Sequence, residues 1–356
     1  MRLVFLKAFP DTYRQSMRVY ADHLQEALRP LLAPEDSISS FLPPRVWLSP
    51  KVARYWSQYV EYPLHARNAQ GDINHVVDHA YGHLLHALDP TRSVVTFHDA
   101  ISWKTRADWA RRHTLSGIRK AAAVICVSES TRKEFLRRGG YPPEKTTVIY
   151  EGVEENFFRA PTGGSPKNRF GLAPGQYLLH VGHTKPYKNI PALFQVLAIL
   201  TRSLGTNVKL LKVGAAFTPE QVKLAKGLGV WSRTVHLGIV SRDLLPDIYR
   251  CADVFLFPSL DEGFGLPALE AMASGLPVVA SNRGALPEVV GDAGILVEPS
   301  DAGGMAKAAV SILEQPALRV QLVQRGQTRA RLFTWERAAQ QTLSVYREVY
   351  RSRRPE

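Results

Sequence analysis

The chain has 356 residues, a length that exceeds one typical hydrophobic core and suits two domains. Its 45% hydrophobic and 22% charged residues are typical of a soluble globular protein, and no run of 18 apolar residues predicts a membrane span. The formal net charge of +13 is concentrated in residues 102–138, with ten Lys or Arg against three Asp or Glu, and in residues 319–354, with nine against two. Two basic segments predict a patch for an anionic partner, with solvated helix faces as the alternative.

The N-terminus and the two cysteines bear on location. MRLVFLKAFP has a short apolar run and no small-residue cleavage site, so it predicts a first strand rather than a signal peptide. Cys126 and Cys251 each lie in an apolar run, where free cysteine behaves as a small hydrophobe. No disulfide framework is indicated, which favours a reducing cytoplasm.

The first half of the chain alternates short apolar runs with helical patterns, which predicts a parallel sheet covered by helices. Examples of the helical stretches are Arg14–Arg29 and Trp103–Lys120. The predicted strands of this half are Leu3–Leu6, Arg45–Leu48, Ile73–Val77, Val94–Phe97, Ala123–Val127 and Thr147–Ile149.

Four closely spaced histidines raise the question of a metal site: His75, His79, His83 and His86. On a helix the first three would share one face, but Ile73–Val77 predicts a strand, and no cysteine is near. We therefore expect no metal here. His79 is expected at the carboxyl end of a strand, where ligands bind in open α/β sheets.

Two further strands end in polar residues. His98 follows Val94–Phe97, and a lone histidine at such a place is more often structural than catalytic. Ser128 follows the next strand and is typical of a helix N-cap, with Glu129 in the first turn.

A polar stretch with glycines and prolines, Arg159–Asn168, predicts a linker, after which the alternation starts again. The strand Tyr177–Gly182 then leads through Lys185 and Lys188 into a predicted helix, Ile190–Leu200. Lysine beside a glycine-bearing turn at a helix start can neutralise a diphosphate. Further predicted elements are strands Val208–Val213 and Thr234–His236, helix Asp243–Tyr249 and a final helix from Thr334 to Tyr350.

The stretch from 254 to 275 predicts an anion site. Val254–Phe257 is expected to form a buried strand, and Leu266–Met272 a helix that Gly275 ends. Between them lies a loop with two glycines, Gly263 and Gly265. Backbone N–H groups at a helix start have no partner inside the helix and face the positive end of its dipole, so a phosphate fits there.

Two carboxylates, Glu262 and Glu270, flank this site. They are acceptors suited to hydroxyl groups, and a ligand with hydroxyls at both ends of a diphosphate is a nucleotide sugar. The alternative is that Glu262 caps the helix and Glu270 is a solvated surface charge.

Three motifs favour the nucleotide-sugar interpretation: Glu262-Gly-Phe-Gly-Leu-Pro-Ala-Leu-Glu270, Glu270-Ala-Met-Ala-Ser-Gly-Leu-Pro-Val-Val-Ala280 and Leu286-Pro-Glu-Val-Val290. Together they resemble the signature of the retaining, nucleotide-sugar-dependent glycosyltransferases of the GT-B fold, group 1 or family four. The resemblance is strongest over residues 177–314. It implies a hexosyl transfer from a nucleoside diphosphate sugar to an acceptor hydroxyl.

The resemblance also implies roles for single residues. Glu262 would bind hydroxyls of the transferred sugar, Glu270 the ribose hydroxyls, and His98 the sugar from the opposite domain. The catalytic residues would be His98, Glu262 and Lys188. The donor-binding residues would be His183, Lys185, Lys188, Asp261, Glu262, Gly263, Phe264, Gly265, Leu266 and Glu270.

The charge of the departing diphosphate is expected to be met by Lys188, the amides around Phe264–Leu266 and the helix dipole, without a metal or bound cofactor. His183 stands where many family members have arginine, so the second cation is His183, Lys185 or neither. Same-face substitution and a double displacement through Glu262 both retain configuration, and the sequence leaves both open.

The fold class expected is α/β, with two Rossmann-like domains facing each other across a cleft. Residues 1–165 would form the acceptor-side domain, residues 166–333 the donor domain, and residues 334–356 a helix crossing back to the first domain. Partners would be a GDP- or UDP-linked sugar and a glycan or lipid-linked acceptor, in glycan, polysaccharide or glycolipid synthesis, but no nucleic acid. A nucleotide-sugar epimerase of the same fold is the first alternative, and a basic nucleic-acid-binding protein is the second.

A cytoplasmic protein with peripheral contact to an anionic inner membrane face is also compatible with one helical stretch. That stretch combines aromatic and cationic residues: Trp103, Lys104, Arg106, Trp109, Arg111 and Arg112. The alternative is that both tryptophans pack inside the first domain.

Overall fold

The computed structural model describes residues 1–8, 15–42, 55–101, 107–160, 166–204 and 208–353. The chain divides into two compact units, one made of Met1–Gly152 with Thr334–Glu356 and the other of Val153–Phe333. The predicted strand Arg45–Leu48 lies outside the described residues, as do Trp103, Lys104 and Arg106.

The first unit contains a six-stranded parallel sheet in the order β2-β1-β3-β4-β5-β6. Its strands are β1 (Arg2–Leu6), β2 (Ser37–Phe41), β3 (Ile73–Val76), β4 (Ser93–Phe97), β5 (Ala123–Cys126) and β6 (Thr146–Val148). The strand β2 was not predicted, because SISSF has no apolar run and lies at the edge of the sheet with only two half-buried residues.

The second unit contains another six-stranded parallel sheet, in the order β12-β11-β10-β7-β8-β9. Its strands are β7 (Gln176–Val181), β8 (Val208–Val213), β9 (Thr234–Gly238), β10 (Val254–Phe257), β11 (Val278–Ser281) and β12 (Ile295–Val297). Both sheets are covered by helices, so the predicted α/β class with two parallel sheets is confirmed.

The helices are α1 (Gln15–Leu28), α2 (Tyr62–Asn68), α3 (Asp108–Ile118), α4 (Glu129–Gly139), α5 (Pro166–Arg169), α6 (Ile190–Leu204), α7 (Pro219–Gly227), α8 (Leu245–Arg250), α9 (Leu266–Ala273), α10 (Leu286–Val290), α11 (Ala302–Glu314), α12 (Pro316–Ala330) and α13 (Trp335–Arg351). Short 3-10 segments include His79–His86, Glu155–Phe157, Pro186–Lys188 and Arg242–Leu244, and Ser57–Glu61 is a π-helix. Ser128 caps α4 and Thr334 caps α13 as predicted, each side-chain oxygen accepting a backbone N–H three residues on.

The last helix belongs to the first unit. The Tyr346 hydroxyl lies 2.6 Å from His75 Nδ1, and the other ring nitrogen of His75 lies 2.7 Å from the hydroxyl of Thr96. Gly152 approaches the start of α13 so closely that a Cβ there would lie 2.3 Å from the Trp335 nitrogen. The final helix is therefore part of the first unit's core.

The predicted boundary after residue 165 differs from the division after Gly152. Phe157 is fully buried against Tyr249, and Arg250 donates to the Phe157 carbonyl at 2.9 Å. Val153 donates to the carbonyl of Phe333 at 3.1 Å. These contacts fix the residues directly after Gly152 to the second unit. The predicted boundary lay later because it was placed by the polar composition of Arg159–Asn168, which carries no information about these contacts.

The chain order of the second sheet creates a switch point between β7 and β10. The chain runs from β7 outward to β9 and then returns to add β10 on the other side of β7. Ligands of open α/β sheets bind outside the carboxyl ends of the strands at such a point.

Candidate active site

Lys188 and Glu262 meet beyond the carboxyl ends of the two strands that form the switch point. Lys188 follows β7 and Glu262 follows β10, and the Lys188 Nζ donates to Glu262 Oε1 at 2.5 Å. Both residues are buried, with 7% and 9% exposure. The ammonium group also lies 4.8 Å from the ring centroid of Phe257. The site thus holds one cation and one carboxylate beside the Phe257 ring, and the two charges neutralise each other.

The backbone of Glu262 is held by the loop after β11. Ala285 donates its N–H to the Glu262 carbonyl at 3.0 Å. Gly284 has a φ of +59°, and a Cβ there would lie 2.5 Å from the Glu262 oxygen and 2.6 Å from its nitrogen. Only glycine fits this close approach, since the backbone is left-handed as well as crowded.

The turn that carries Lys188 is fixed by Asn189, the one non-glycine residue with positive φ among the residues described here. Its side-chain amide donates to the carbonyls of Pro258, at 3.1 Å, and Pro299, at 2.9 Å. Leu260 donates to the Tyr187 carbonyl at 2.7 Å. These bonds join the loop after β7 to the loop after β10, so they set the distance between the cation and the carboxylate.

Helix α9 begins where the anion site was predicted. Its N-cap is Gly265, with a φ of +104° and no side-chain cap. Pro267 has no N–H, and the first intrahelical bonds are those of Ala268 and Leu269 to the Gly265 carbonyl. The helix start is therefore an electropositive end capped by no side chain. The alternative in which Glu262 caps the helix is wrong.

Glu270 is buried on α9, with 2% exposure, so its interpretation as a surface charge is also wrong. Its Oε2 accepts from the Tyr249 hydroxyl at 2.7 Å, and its Oε1 lies 2.8 Å from the guanidinium of Arg242. Arg242 also binds both carboxylate oxygens of Glu154, with its Nε donating at 2.7 Å. Burial raises the pKa of the Glu270 carboxyl, and Arg242 and Tyr249 oppose that rise.

The remaining predicted donor residues lie around these groups. His183, Asp261, Gly263 and Leu266 are partly buried, Lys185 is exposed, and Phe264 is buried with 5% exposure. Burial and three neighbouring lysines lower the pKa of His183. A histidine whose pKa is lowered from 6.5 is mostly neutral at pH 7, so it is a weak second cation.

His98 is buried in the first unit, directly after β4. Its Nε2 lies 2.9 Å from the Val77 carbonyl and its Nδ1 lies 3.3 Å from Glu151. Burial alone would lower the pKa of His98, but the carboxylate of Glu151 and the carbonyl of Val77 hold it above its ordinary value. Both ring nitrogens thus have protein partners, which suits a protonated ring.

The comparison with known proteins agrees with this geometry. The sequence profile described as "Glycosyl transferases group 1" matches residues 168–329, and that described as "Glycosyltransferase Family 4" matches residues 18–157. The O-antigen chain mannosyltransferase B of Escherichia coli is 31% identical over 301 residues, which is 80% of this chain and 78% of that protein. The chain belongs to the group 1 glycosyltransferases.

Solved structures show the same fold. Sucrose-phosphate synthase of Thermosynechococcus elongatus gives a TM-score of 0.82 at 22% identity, with 99% of this chain and 100% of that chain covered. Anabaena HepE in complex with UDP and glucose gives a TM-score of 0.81 at 19% identity, with 98% and 100% covered. The predicted GT-B fold of this glycosyltransferase is confirmed.

Three residues near Glu270 were missed from the sequence: Arg242, Tyr249 and Glu154. They lie 28, 21 and 116 positions away from Glu270, on a 3-10 turn, on α8 and before the segment Glu155–Phe157. A sequence pattern that follows one strand and one helix cannot find them. The one sequence feature that pointed to a partner of Glu270 was the position of Tyr249 at the end of a predicted helix that leads into β10.

The histidines of the first unit each have separate partners. Burial lowers the pKa of His75 to about 3, and His83 lies 2.8 Å from the Gln58 carbonyl. Within the described ranges, no three His, Cys, Asp or Glu side chains are placed to hold a metal ion. No helix in the same ranges is long and apolar enough to cross a membrane.

Proposed function

We propose that this glycosyltransferase moves a hexosyl group from a nucleoside diphosphate sugar to a hydroxyl of a glycan or lipid-linked acceptor, with retention of configuration and without a metal ion. The observation that carries the proposal is the buried Lys188–Glu262 pair beside the uncapped start of α9, at the switch point of the second sheet. A diphosphate would take the cation and the helix start, and the sugar hydroxyls would take the carboxylate.

The chemistry follows from an exchange of partners. When a diphosphate binds Lys188, Glu262 loses its counter-ion and becomes an acceptor for hydroxyls of the transferred sugar. Lys188 and the α9 dipole would then stabilise the charge that develops on the leaving diphosphate. Glu270 would accept from the ribose hydroxyls, with Arg242 and Tyr249 holding its orientation. The role of His98 toward the sugar stays a prediction.

A mannosyl group is the first candidate for transfer, and a glucosyl group is the second. The support for mannose is the 31% identical relative, an O-antigen chain mannosyltransferase. The support for a nucleoside diphosphate is the Anabaena neighbour with bound UDP and glucose. Both GDP- and UDP-linked sugars belong in the test.

The experiment begins with calorimetric titration of the protein with UDP, GDP and their glucose and mannose derivatives, with EDTA present throughout. We expect one nucleotide to bind, Lys188→Met to abolish that binding, and Lys209→Met on β8 to leave it intact. Transfer to a glycan acceptor, followed by NMR of the new anomeric centre, tests retention. Failure of every nucleotide to bind would contradict the proposal, and so would an absolute need for magnesium or manganese.

We also propose a peripheral membrane contact through an aromatic surface of the first unit. Trp109 is 56% exposed and Tyr55 is 58% exposed, and the ring of Tyr59 packs against both. Packing of Trp109 inside the domain is thus wrong, although Ala110 and Ile118 of the same helix are buried. Aromatic rings beside basic residues suit the edge of an anionic bilayer.

Cosedimentation with vesicles containing phosphatidylglycerol tests this contact. We expect binding that falls with salt and with Trp109→Ser, whereas Leu332→Ser, which changes an exposed leucine of the other unit, should not alter it. Equal binding of Trp109→Ser and the unchanged protein would refute the contact.

A further inference from the structure

Lys212 is a fully buried lysine at the carboxyl end of β8, and the predicted site did not include it. Its Nζ donates to three backbone carbonyls: Gly182 at 2.6 Å, Val213 at 2.7 Å and Ala215 at 3.3 Å. An ammonium group has three N–H donors, so these three acceptors match its protonated form.

The surroundings of Lys212 contain cations and imidazoles, and no carboxylate among the residues that the structure describes pairs with it, since the nearby Glu262 pairs with Lys188. His180 lies on the neighbouring β7, and His236 pairs with Lys212 in the register of β8 with β9. The charge of Lys188 acts on Lys212, and that of Lys212 acts on His183. A buried cation without a counter-ion is costly, which calls for a function that uses its charge.

Lys212 fixes the turn that follows β7. A Cβ on Gly214 would lie 2.4 Å from the Gly182 oxygen, so the two backbones touch. Because a trans peptide is planar, the Gly182 carbonyl that points to Lys212 directs the N–H of His183 the opposite way. The Thr184 hydroxyl donates to the Ala216 carbonyl at 2.9 Å and closes the turn.

His180 provides an independent sign that this turn is built for a ligand. It is fully buried, its Nδ1 lies 3.2 Å from the Leu256 carbonyl, and its Nε2 has no hydrogen-bond partner among the described residues. The space beside Gly182 that a Cβ would occupy lies 3.7 Å from this Nε2 and 4.0 Å from Lys188 Nζ. A buried acceptor nitrogen, which suits a hydroxyl donor of a ligand, and the cation of the candidate diphosphate site therefore lie within 4 Å of the same space.

We infer that Lys212 is a positioning residue for the donor diphosphate, which it serves by holding the turn 182–184 and by supplying a second positive charge from beneath it. This inference rests on the proposed function. The sequence left open whether His183, Lys185 or neither supplies a second cation for the diphosphate. By this inference the second cation is Lys212, which lies on β8 rather than after β7 and does not touch the ligand.

The protonation of Lys212 supports the same role. Burial, together with the charge of Lys188, lowers the pKa of Lys212 to about 7. A bound diphosphate favours the charged lysine, so binding above pH 7 requires uptake of a proton. Affinity for a nucleoside diphosphate should therefore fall as the pH rises from 7 to 9, a range above that in which His183 titrates.

The test is calorimetric titration with UDP and with GDP at pH 7, 8 and 9, in two buffers of different ionisation enthalpy, with EDTA present. For the nucleotide that binds, we expect proton uptake by the unchanged protein and roughly tenfold weaker binding to Lys212→Met at pH 7. The variant should show no uptake and no pH dependence. Lys209→Met, on the same strand and only partly buried, should behave like the unchanged protein.

Each outcome decides the question. Binding without proton uptake by the unchanged protein overturns the inference even if Lys212→Met does not fold. A folded Lys212→Met with unaltered affinity and uptake also overturns it, and assigns the lysine a purely structural part. If neither nucleotide binds the unchanged protein, the proposed function fails as well, so the two failures are distinguishable.

Discussion

Glu262 and Glu270 are the same residue type, eight positions apart, and their surroundings give them opposite characters. In the part of the chain that the structure describes, Glu262 has a single charged partner, Lys188, at 2.5 Å. Glu270 has a cation on one oxygen and a phenol on the other, and its cation is shared with Glu154. The first carboxylate can be released by any ligand that takes its lysine. The second is held in place whatever Lys188 does.

This difference teaches that burial alone does not define a functional carboxylate. Both residues are below 10% exposed. The two carboxylates differ in the number of protein partners that must move before a carboxylate oxygen can accept a hydrogen bond from a ligand. Catalytic change is expected at the carboxylate with one exchangeable partner, and rigid positioning at the one with several.

The largest expected effect is that of Glu262→Gln. Its amide keeps the shape of the side chain but removes the charge, so transfer should fall by about 100-fold or more in kcat. Donor binding should change much less, because Lys188 is then available to the diphosphate. Steady-state kinetics with calorimetry measure both quantities, and Glu298→Gln, which alters an exposed ion pair with Arg283, is the control. A normal kcat would remove Glu262 from the chemistry.

Arg242→Met removes the cation that Glu270 shares with Glu154, and the pH dependence of donor affinity shows whether that cation keeps Glu270 ionised. Arg242 lowers the pKa of the Glu270 carboxyl, which burial raises, so the variant should carry a carboxyl with a still higher pKa. Protonation removes an acceptor. Donor affinity of the variant should therefore fall more steeply from neutral toward acid pH than that of the unchanged protein.

The same variant should lose about 3 kcal/mol of unfolding free energy, since it leaves the buried carboxylate of Glu270 and the partly buried one of Glu154 without their cation. Urea denaturation measures this loss, and Arg283→Met is the matched control at an exposed pair. Identical pH profiles for variant and unchanged protein would show that Arg242 does not keep Glu270 ionised.

Gly284→Ala tests whether Glu262 depends on its backbone support. The added Cβ meets backbone atoms of Glu262, and the left-handed backbone at this position costs about 1–2 kcal/mol for alanine. We expect a loss of at least that size in stability, because the clash adds to the backbone cost, together with a fall in kcat, because Glu262 must shift. Gly227→Ala, where a Cβ would meet nothing within 4 Å, should leave both intact.

The smallest expected effect is that of Tyr249→Phe. It removes one hydrogen bond to Glu270 and leaves Arg242 in place, so donor affinity should weaken by about 1 kcal/mol. Calorimetry resolves a change of that size. A loss as large as that of Arg242→Met would mean that the phenol, rather than the guanidinium, fixes the carboxylate.

The sequence predicted the local part of this architecture well. Strands with apolar runs, such as Val208–Val213 and Val254–Phe257, lie at the predicted residues, because a buried parallel strand requires such a run. The helix start at Leu266 was predicted because glycine and proline mark it in the chain. The edge strand Ser37–Phe41 escaped notice because it lacks both signals.

By itself, the sequence determined the order of strands and helices, the family motifs and the candidate residues within one strand–loop–helix unit, because these depend on neighbours in the chain. Only the tertiary structure decided which groups meet: Lys188 with Glu262 over 74 positions, Arg242 with Glu154 over 88, and Lys212 with the Gly182 carbonyl over 30. The first and third pairs are brought together by the strand order of the sheet, which places the ends of β7, β8 and β10 side by side. The second pair forms because the segment after Gly152 packs on α8. No local pattern of residues encodes that neighbourhood.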